Sequence, residues 1–183
     1  DIIYHTVTLL QQEPEVLHYY QDKFRYVLVD EYQDTNHLQY LLTSLLAGGR
    51  QNLCVVGDDD QSIYRFRGAN IENILSFEQQ YAGARVIRLE QNYRSTQNIL
   101  DAANAVIRNN AGRKGKTLWT KAEAGDPLTL YCATNENDEA RYVATKIMDD
   151  FGHGMNFRDH AVLYRMNAQS NQMEYAFKRN GIP

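Results

Sequence analysis

Short unbroken apolar runs alternate along this chain with stretches in which apolar residues recur every three or four positions. Tyr26-Val27-Leu28-Val29 is the first such run, and it passes directly into Asp30-Glu31. An apolar run of this length with β-branched residues predicts a buried strand of a parallel sheet. Leu38, Leu41, Leu42 and Leu45 follow at helical spacing, and Gly48-Gly49 close that helix. Asn52-Leu53-Cys54-Val55-Val56-Gly57 predicts a second buried strand, ending again in acids, Asp58-Asp59-Asp60. A helix is predicted over 71–81, a strand over 85–89, and a helix from Ser95, as its N-cap, to Asn109. Pro127 opens a predicted strand at 128–132. A helix over 137–150, a strand at 161–164 and a helix over 170–179, closed by Asn180-Gly181, complete the series. Strands separated by helices of this length predict an α/β fold with a parallel sheet covered on its faces. No internal repeat is present.

Composition narrows the class without naming an activity. In 183 residues, 43% are hydrophobic and 23% charged, the balance of a soluble globular chain long enough to bury a core. No stretch approaches the roughly 18 uncharged apolar residues of a membrane-spanning helix, and Asp1 to His5 do not resemble a secretory leader. The chain opens without Met and stops at Gly181-Ile182-Pro183, which suggests an excerpt of a longer protein. Cys54 and Cys132 each lie in an apolar run and are expected as buried free thiols, as in a reducing, cytoplasmic protein. The net charge of −4 argues weakly against nucleic-acid binding over the whole surface. It leaves room for a local basic groove, because only charges near the contact set phosphate affinity. Residues 108–121 carry Arg108, Arg113, Lys114, Lys116 and Lys121 with no acid, a basic loop.

Ligands of open parallel sheets sit beyond the carboxyl ends of the strands, so the residues following each strand are the candidates. Val27-Leu28-Val29-Asp30-Glu31 has the form of a strand that holds Asp30 rigidly for Mg²⁺, with Glu31 beside it as a general base. Strands also end in acids simply because loops are polar. Gly57-Asp58-Asp59-Asp60-Gln61 repeats the layout, and Gln61 could bond a terminal phosphate without adding charge; a solvated acidic loop is the bland reading. Ile63-Tyr64-Arg65-Phe66-Arg67-Gly68-Ala69 alternates rings with guanidinium groups, as a single-strand stacking surface requires. A strand with buried rings and solvated arginines would look the same. Gln91-Asn92-Tyr93-Arg94-Ser95 offers a helix start, a cation and a ring. Gly115-Lys116-Thr117 imitates the end of a P-loop, but residue 110 is Asn rather than Gly and no strand leads into it.

In series these segments are more specific than any one of them. Val29-Asp30-Glu31-Tyr32-Gln33-Asp34-Thr35, then Val56 to Ala69, then Leu89-Glu90-Gln91-Asn92-Tyr93-Arg94-Ser95 resemble motifs II, III and IV of the UvrD/PcrA/Rep family of superfamily 1 DNA helicases. Ala133-Thr134-Asn135-Glu136 with Asp138-Glu139-Ala140, and Leu163 to Ser170, resemble the same family. The resemblance implies parallel-sheet RecA-like (P-loop NTPase) lobes. Residues 1–90 would be the C-terminal part of the first lobe and 91–183 the N-terminal part of the second, joined near residue 90. It implies an ATP- and Mg²⁺-dependent 3′-to-5′ motor on single-stranded and partly duplex DNA. In that pattern Asp30 holds Mg²⁺, Glu31 activates the hydrolytic water and Gln61 senses the γ-phosphate. Tyr93 stacks on adenine and Arg94 reaches the γ-phosphate. Tyr64 and Phe66 stack on bases with Arg67 nearby, and Arg165 and Asn167 touch the strand from the second lobe. Many relatives have Trp where this chain has Phe66, a substitution that keeps a stacking ring.

The departures from the family pattern are as informative. No G-x-x-x-x-G-K-[ST] loop and no segment with the family's last motifs is present in the 183 residues, so this piece is expected to hydrolyse ATP negligibly by itself. Two rival readings stay open: a nucleotide-independent single-strand binding module that uses the aromatic–arginine segment 63–69, and a metal-dependent nuclease built on Asp30, Asp58, Asp59 and Asp60.

Overall fold

The computed structural model describes every residue except Arg65, Arg67 and Ala111. The chain divides into two compact units, Asp1–Pro127 and Leu128–Pro183.

In the first unit, helices α1 (Ile2–Gln12) and α2 (Pro14–Lys23) precede the first strand. The Asp1 carboxylate accepts from the Ile3 N–H at 3.1 Å and caps α1, which buries Val7 and Leu10, one turn apart. Pro14 starts α2, where its missing N–H costs nothing. Strand β1 (Val27–Val29) leads through a 3₁₀ turn at Tyr32–Asp34 to α3 (His37–Ala47). Asn36 and Gln39 close a reciprocal capping box at its start, with bonds of 3.0 and 2.9 Å. The three helices pack on one another. Strand β2 (Leu53–Val55) runs parallel to β1 with Val27 opposite Leu53, Leu28 opposite Cys54 and Val29 opposite Val55. Two short helices follow, α4 (Glu72–Leu75) and α5 (Phe77–Gln80), then α6 (Gln97–Ile107). Asn104 of α6 donates to the Leu118 carbonyl at 2.8 Å and accepts from its N–H at 3.1 Å, which ties the basic loop to the helix.

The second unit is built on α7 (Glu136–Gly152) and α8 (Ser170–Arg179). Asn135 caps α7 by accepting from Asn137 and Asp138 N–H groups at 3.1 and 3.0 Å. Ala140, Ala144 and Ile147 form a buried stripe at spacings of four and three. Ala144, Ile147 and Ile182 make the core, with Phe157, Val162 and Phe177 packed around it.

Several expectations are corrected. The helix over 71–81 is broken at Ser76, whose φ of −91° and ψ of 3° leave the helical region while its hydroxyl donates to the Glu72 carbonyl. Ser95 is not the cap of α6. Its N–H and that of Arg94 are both taken by the Asn92 side chain, at 2.8 and 2.9 Å, and the helix begins one residue later than expected, at Gln97 behind Thr96. The segments 85–89, 128–132 and 161–164 have no strand ladder among the described residues. The nearest pairing is a single parallel bridge between Gln91 and Trp119. Cys54 and Cys132 are exposed rather than buried. Cys54 shares the open face of the two-stranded sheet with its register partner Leu28, which is 74% exposed. Helices α1 and α2 carry no counterpart in the apolar pattern read above.

Candidate active site

The site grows from the carboxyl ends of β1 and β2. Asp30 follows β1, and its Oδ1 accepts from the Glu31 N–H at 2.9 Å. Glu31 itself is left-handed, with φ of 50° and ψ of 43°. That conformation is costly for a residue with a Cβ and marks a position held by its surroundings. The Tyr32 N–H donates to the Val56 carbonyl at 2.9 Å, extending the sheet contact one step beyond the strands. The Tyr32 ring is fully buried edge-on against Phe77 at 5.8 Å, and burial pushes its phenol up to about 12.

Gln33, 1% exposed, joins the two strand ends. Its Nε2 donates to Glu31 Oε2 at 2.8 Å, and its Oε1 accepts from the Asp58 N–H at 3.0 Å. Gly57 makes room for this crossing. A Cβ there would lie 2.6 Å from Gln33 Oε1 and 2.8 Å from Ile74 Cδ1. Beyond Gly57, Asp58 caps a 3₁₀ turn at Asp59–Gln61: its Oδ1 accepts from the Asp60 N–H at 2.9 Å and its Oδ2 from Gln61 Nε2 at 2.8 Å. Glu31 and Gln61, expected on separate motifs, are thus linked through Gln33 and Asp58.

The basic loop closes over the acids that follow β2. Arg113 grips Asp60 with two bonds of 2.7 and 2.6 Å, and the Lys114 N–H donates to Asp59 at 2.7 Å. Lys116 Nζ bonds Asp58 and lies 3.4 Å from both Asp59 and Asp60. Burial opposes ionisation of Asp58, but the Lys116 and Gln61 hydrogen bonds outweigh it and hold the carboxyl below its ordinary value. Arg113 lowers Asp60 in the same way. Burial works against the charge on Lys116 as well, and the hydrogen bond to Asp58 overcomes it, so the ammonium is raised above its usual range. Among the described residues, Asp58, Asp59 and Asp60 are the acids close enough to share a cation, within 4.8 Å of one another. Lys116 already touches all three, and Asp30 is not among them, so the four-acid nuclease centre does not assemble.

Tyr93 is 86% exposed, and among the described residues neither its ring nor the Arg94 side chain bonds Asp30, Glu31 or Gln61. Tyr64 and Phe66 face one another at 6.0 Å with a 39° tilt. Arg67 lies outside the described residues. In the second unit, the Arg165 N–H donates to Gln169 Oε1 at 3.1 Å. Asn167 opens the 3₁₀ turn Asn167–Gln169 with its side chain in solvent. Sequence reasoning missed Gln33, Arg113 and Lys116 as parts of the site. Gln33 carried a signal, a Gln one turn after two acids; the two cations sit 53 to 58 residues from their partners and carried none.

Residues 1–82 match the family model of the UvrD/REP helicase N-terminal domain, and residues 87–183 that of the UvrD-like helicase C-terminal domain. Over all 183 residues the chain is 55% identical to an ATP-dependent DNA helicase PcrA of Staphylococcus epidermidis and 54% identical to one of Staphylococcus aureus. It spans 25% of the length of each.

Proposed function

Because the chain belongs to the UvrD/REP helicase family, we propose that it carries the hydrolytic and strand-contacting segments of an ATP-driven 3′-to-5′ translocase on single-stranded DNA. The observation that supports this reading best is the chain of hydrogen bonds from Glu31 through Gln33 and Asp58 to Gln61. A motor must couple the group that orients the attacking water to the group that senses the terminal phosphate, and here one buried amide joins Glu31 to Asp58, the residue that holds Gln61. We place the meeting of the two RecA-like lobes near residue 90.

Asp30 fits a divalent ion: it is exposed at the end of β1, and among the described residues its Oδ2 accepts no hydrogen bond. Mg²⁺ held there would neutralise charge on the ATP phosphates. Glu31, fixed by Gln33, would orient the water and accept its proton. Gln61 would donate to a γ-phosphate oxygen when released from Asp58. Arg94 would add positive charge, and the exposed Tyr93 ring would cover the adenine. Tyr64, Phe66 and Arg67 would contact the strand, with Arg165 and Asn167 doing so from the second lobe.

The 183-residue chain alone is expected to hydrolyse ATP negligibly, since it has no phosphate-cradling G-x-x-x-x-G-K-[ST] loop. Joined to a half-lobe that supplies that loop, it is expected to hydrolyse ATP in response to single strands. Glu31→Gln should cut that rate by about 10²- to 10⁴-fold. A completed protein that binds strands indifferently to nucleotide, and loses them on Phe66→Ala, would instead be a passive binding module. One that binds neither ATP nor strands would overturn both readings.

A further inference from the structure

The amide of Gln61 is exposed, and its bond to Asp58 Oδ2 at 2.8 Å fixes where it points. The other oxygen of Asp58 accepts from the Asp60 N–H and from Lys116. Three consecutive aspartates with oxygens within 4.8 Å repel one another unless a cation sits among them. Lys116 is that cation, and Arg113 braces it by donating to its carbonyl at 2.9 Å while holding Asp60. The same stretch is fastened to α6 through Asn104 and Leu118. Gln61 falls in the part of the chain matched by the N-terminal family domain, and Lys116 in the part matched by the C-terminal one.

From this juxtaposition we propose that Lys116, braced by Arg113, is a positioning residue for Gln61, acting through Asp58. The inference rests on the reading of Gln61 as the phosphate-sensing group. A shift of α6 relative to β2 would draw Lys116 from Asp58, let the carboxylate turn, and free the Gln61 amide to change partner. Information from the second family domain would reach the nucleotide site by this route without any residue of that domain touching Glu31. The depressed carboxyl of Asp58 and the raised ammonium of Lys116 agree with a pair that holds its charge.

The test needs no nucleotide. In ¹H–¹⁵N spectra of the 183-residue chain, the Gln61 side-chain amide is expected to be displaced from the position of a solvated glutamine. Lys116→Met should return it there and raise the titration midpoint of the Asp58 carboxyl; Lys116→Arg should restore both. An unmoved Gln61 signal in folded Lys116→Met would overturn the proposal. Should Lys116→Met not fold, the wild-type chain decides. Its Gln61 amide must shift with the same midpoint as Asp58 as pH falls, and indifference to that titration overturns the proposal equally. Fluorescent-ATP binding by the completed protein tests the motor reading separately: its failure leaves the spectra unchanged, and failure of the spectra leaves ATP binding unchanged.

Discussion

Two kinds of apolar run in this molecule look alike in sequence and end differently. Residues 27–29 and 53–55 become strands because each meets the other. The Val27 N–H reaches the Asn52 carbonyl at 2.9 Å, and the Val56 N–H reaches the Val29 carbonyl at 2.8 Å. Residues 128–132 and 161–164 have the same apolar character and no ladder among the described residues. Leu130 and Leu163 are each 90% exposed, while Val162, one position away, packs beneath on the α7–α8 core. The difference teaches that a parallel strand is a property of a pair. Its backbone groups must find partners on a neighbour, whereas a helix satisfies its own.

The sharpest way to break the paired region is at its crossing point. Gly57→Ala would force a Cβ against Gln33 Oε1 and Ile74 Cδ1 at 2.6 and 2.8 Å. It is expected to cost about 1–3 kcal/mol, read as a lower urea midpoint. Gln33→Leu fills similar volume but strands the Asp58 N–H. A cost of about 1–3 kcal/mol is expected, with the loss largest for amides at 57–62 in hydrogen exchange.

A gentler break is acid. Asp58 and Asp60 lie below the ordinary carboxyl value of 3.8 when folded. Their pairing therefore stabilises fully above about pH 4 and is lost as pH falls through the folded-state values. Urea midpoints recorded down to pH 2 should fall more steeply for the wild-type chain than for Asp60→Asn. Equal slopes would show that Arg113 contributes no net pairing.

The bare region should respond in the opposite sense. Leu130→Ser and Leu163→Ser are expected to change stability by no more than about 0.5 kcal/mol. They should reduce binding of an apolar dye and concentration-dependent association, since exposed apolar patches drive both. A large stability loss would show that these leucines pack in solution.

Helices α3, α6, α7 and α8 were legible because apolar spacing is local, and so are the glycines that close α3 and α8. The strand ends were legible too, since an apolar run entering Asp30-Glu31 or Gly57-Asp58 states where a site begins. The Ser76 break depended on a hydroxyl competing for a backbone carbonyl, and the displaced start of α6 on Asn92 taking two N–H groups. Neither competition is encoded in periodicity. The clasp of Arg113 and Lys116 on Asp58–Asp60 was least legible of all. Lys116 lay in a segment set aside as an imperfect P-loop, and nothing in a single sequence says which acids a distant lysine will meet.

Gln33 carries one more consequence. Its amide donates at one end and accepts at the other, and it cannot gain or lose a proton in the neutral range. A glutamate of equal length would press a second negative charge against Glu31, and an asparagine would fall a methylene short of one partner. The residue therefore works as a neutral strut: it conveys position between the two strand ends without adding a charge to either.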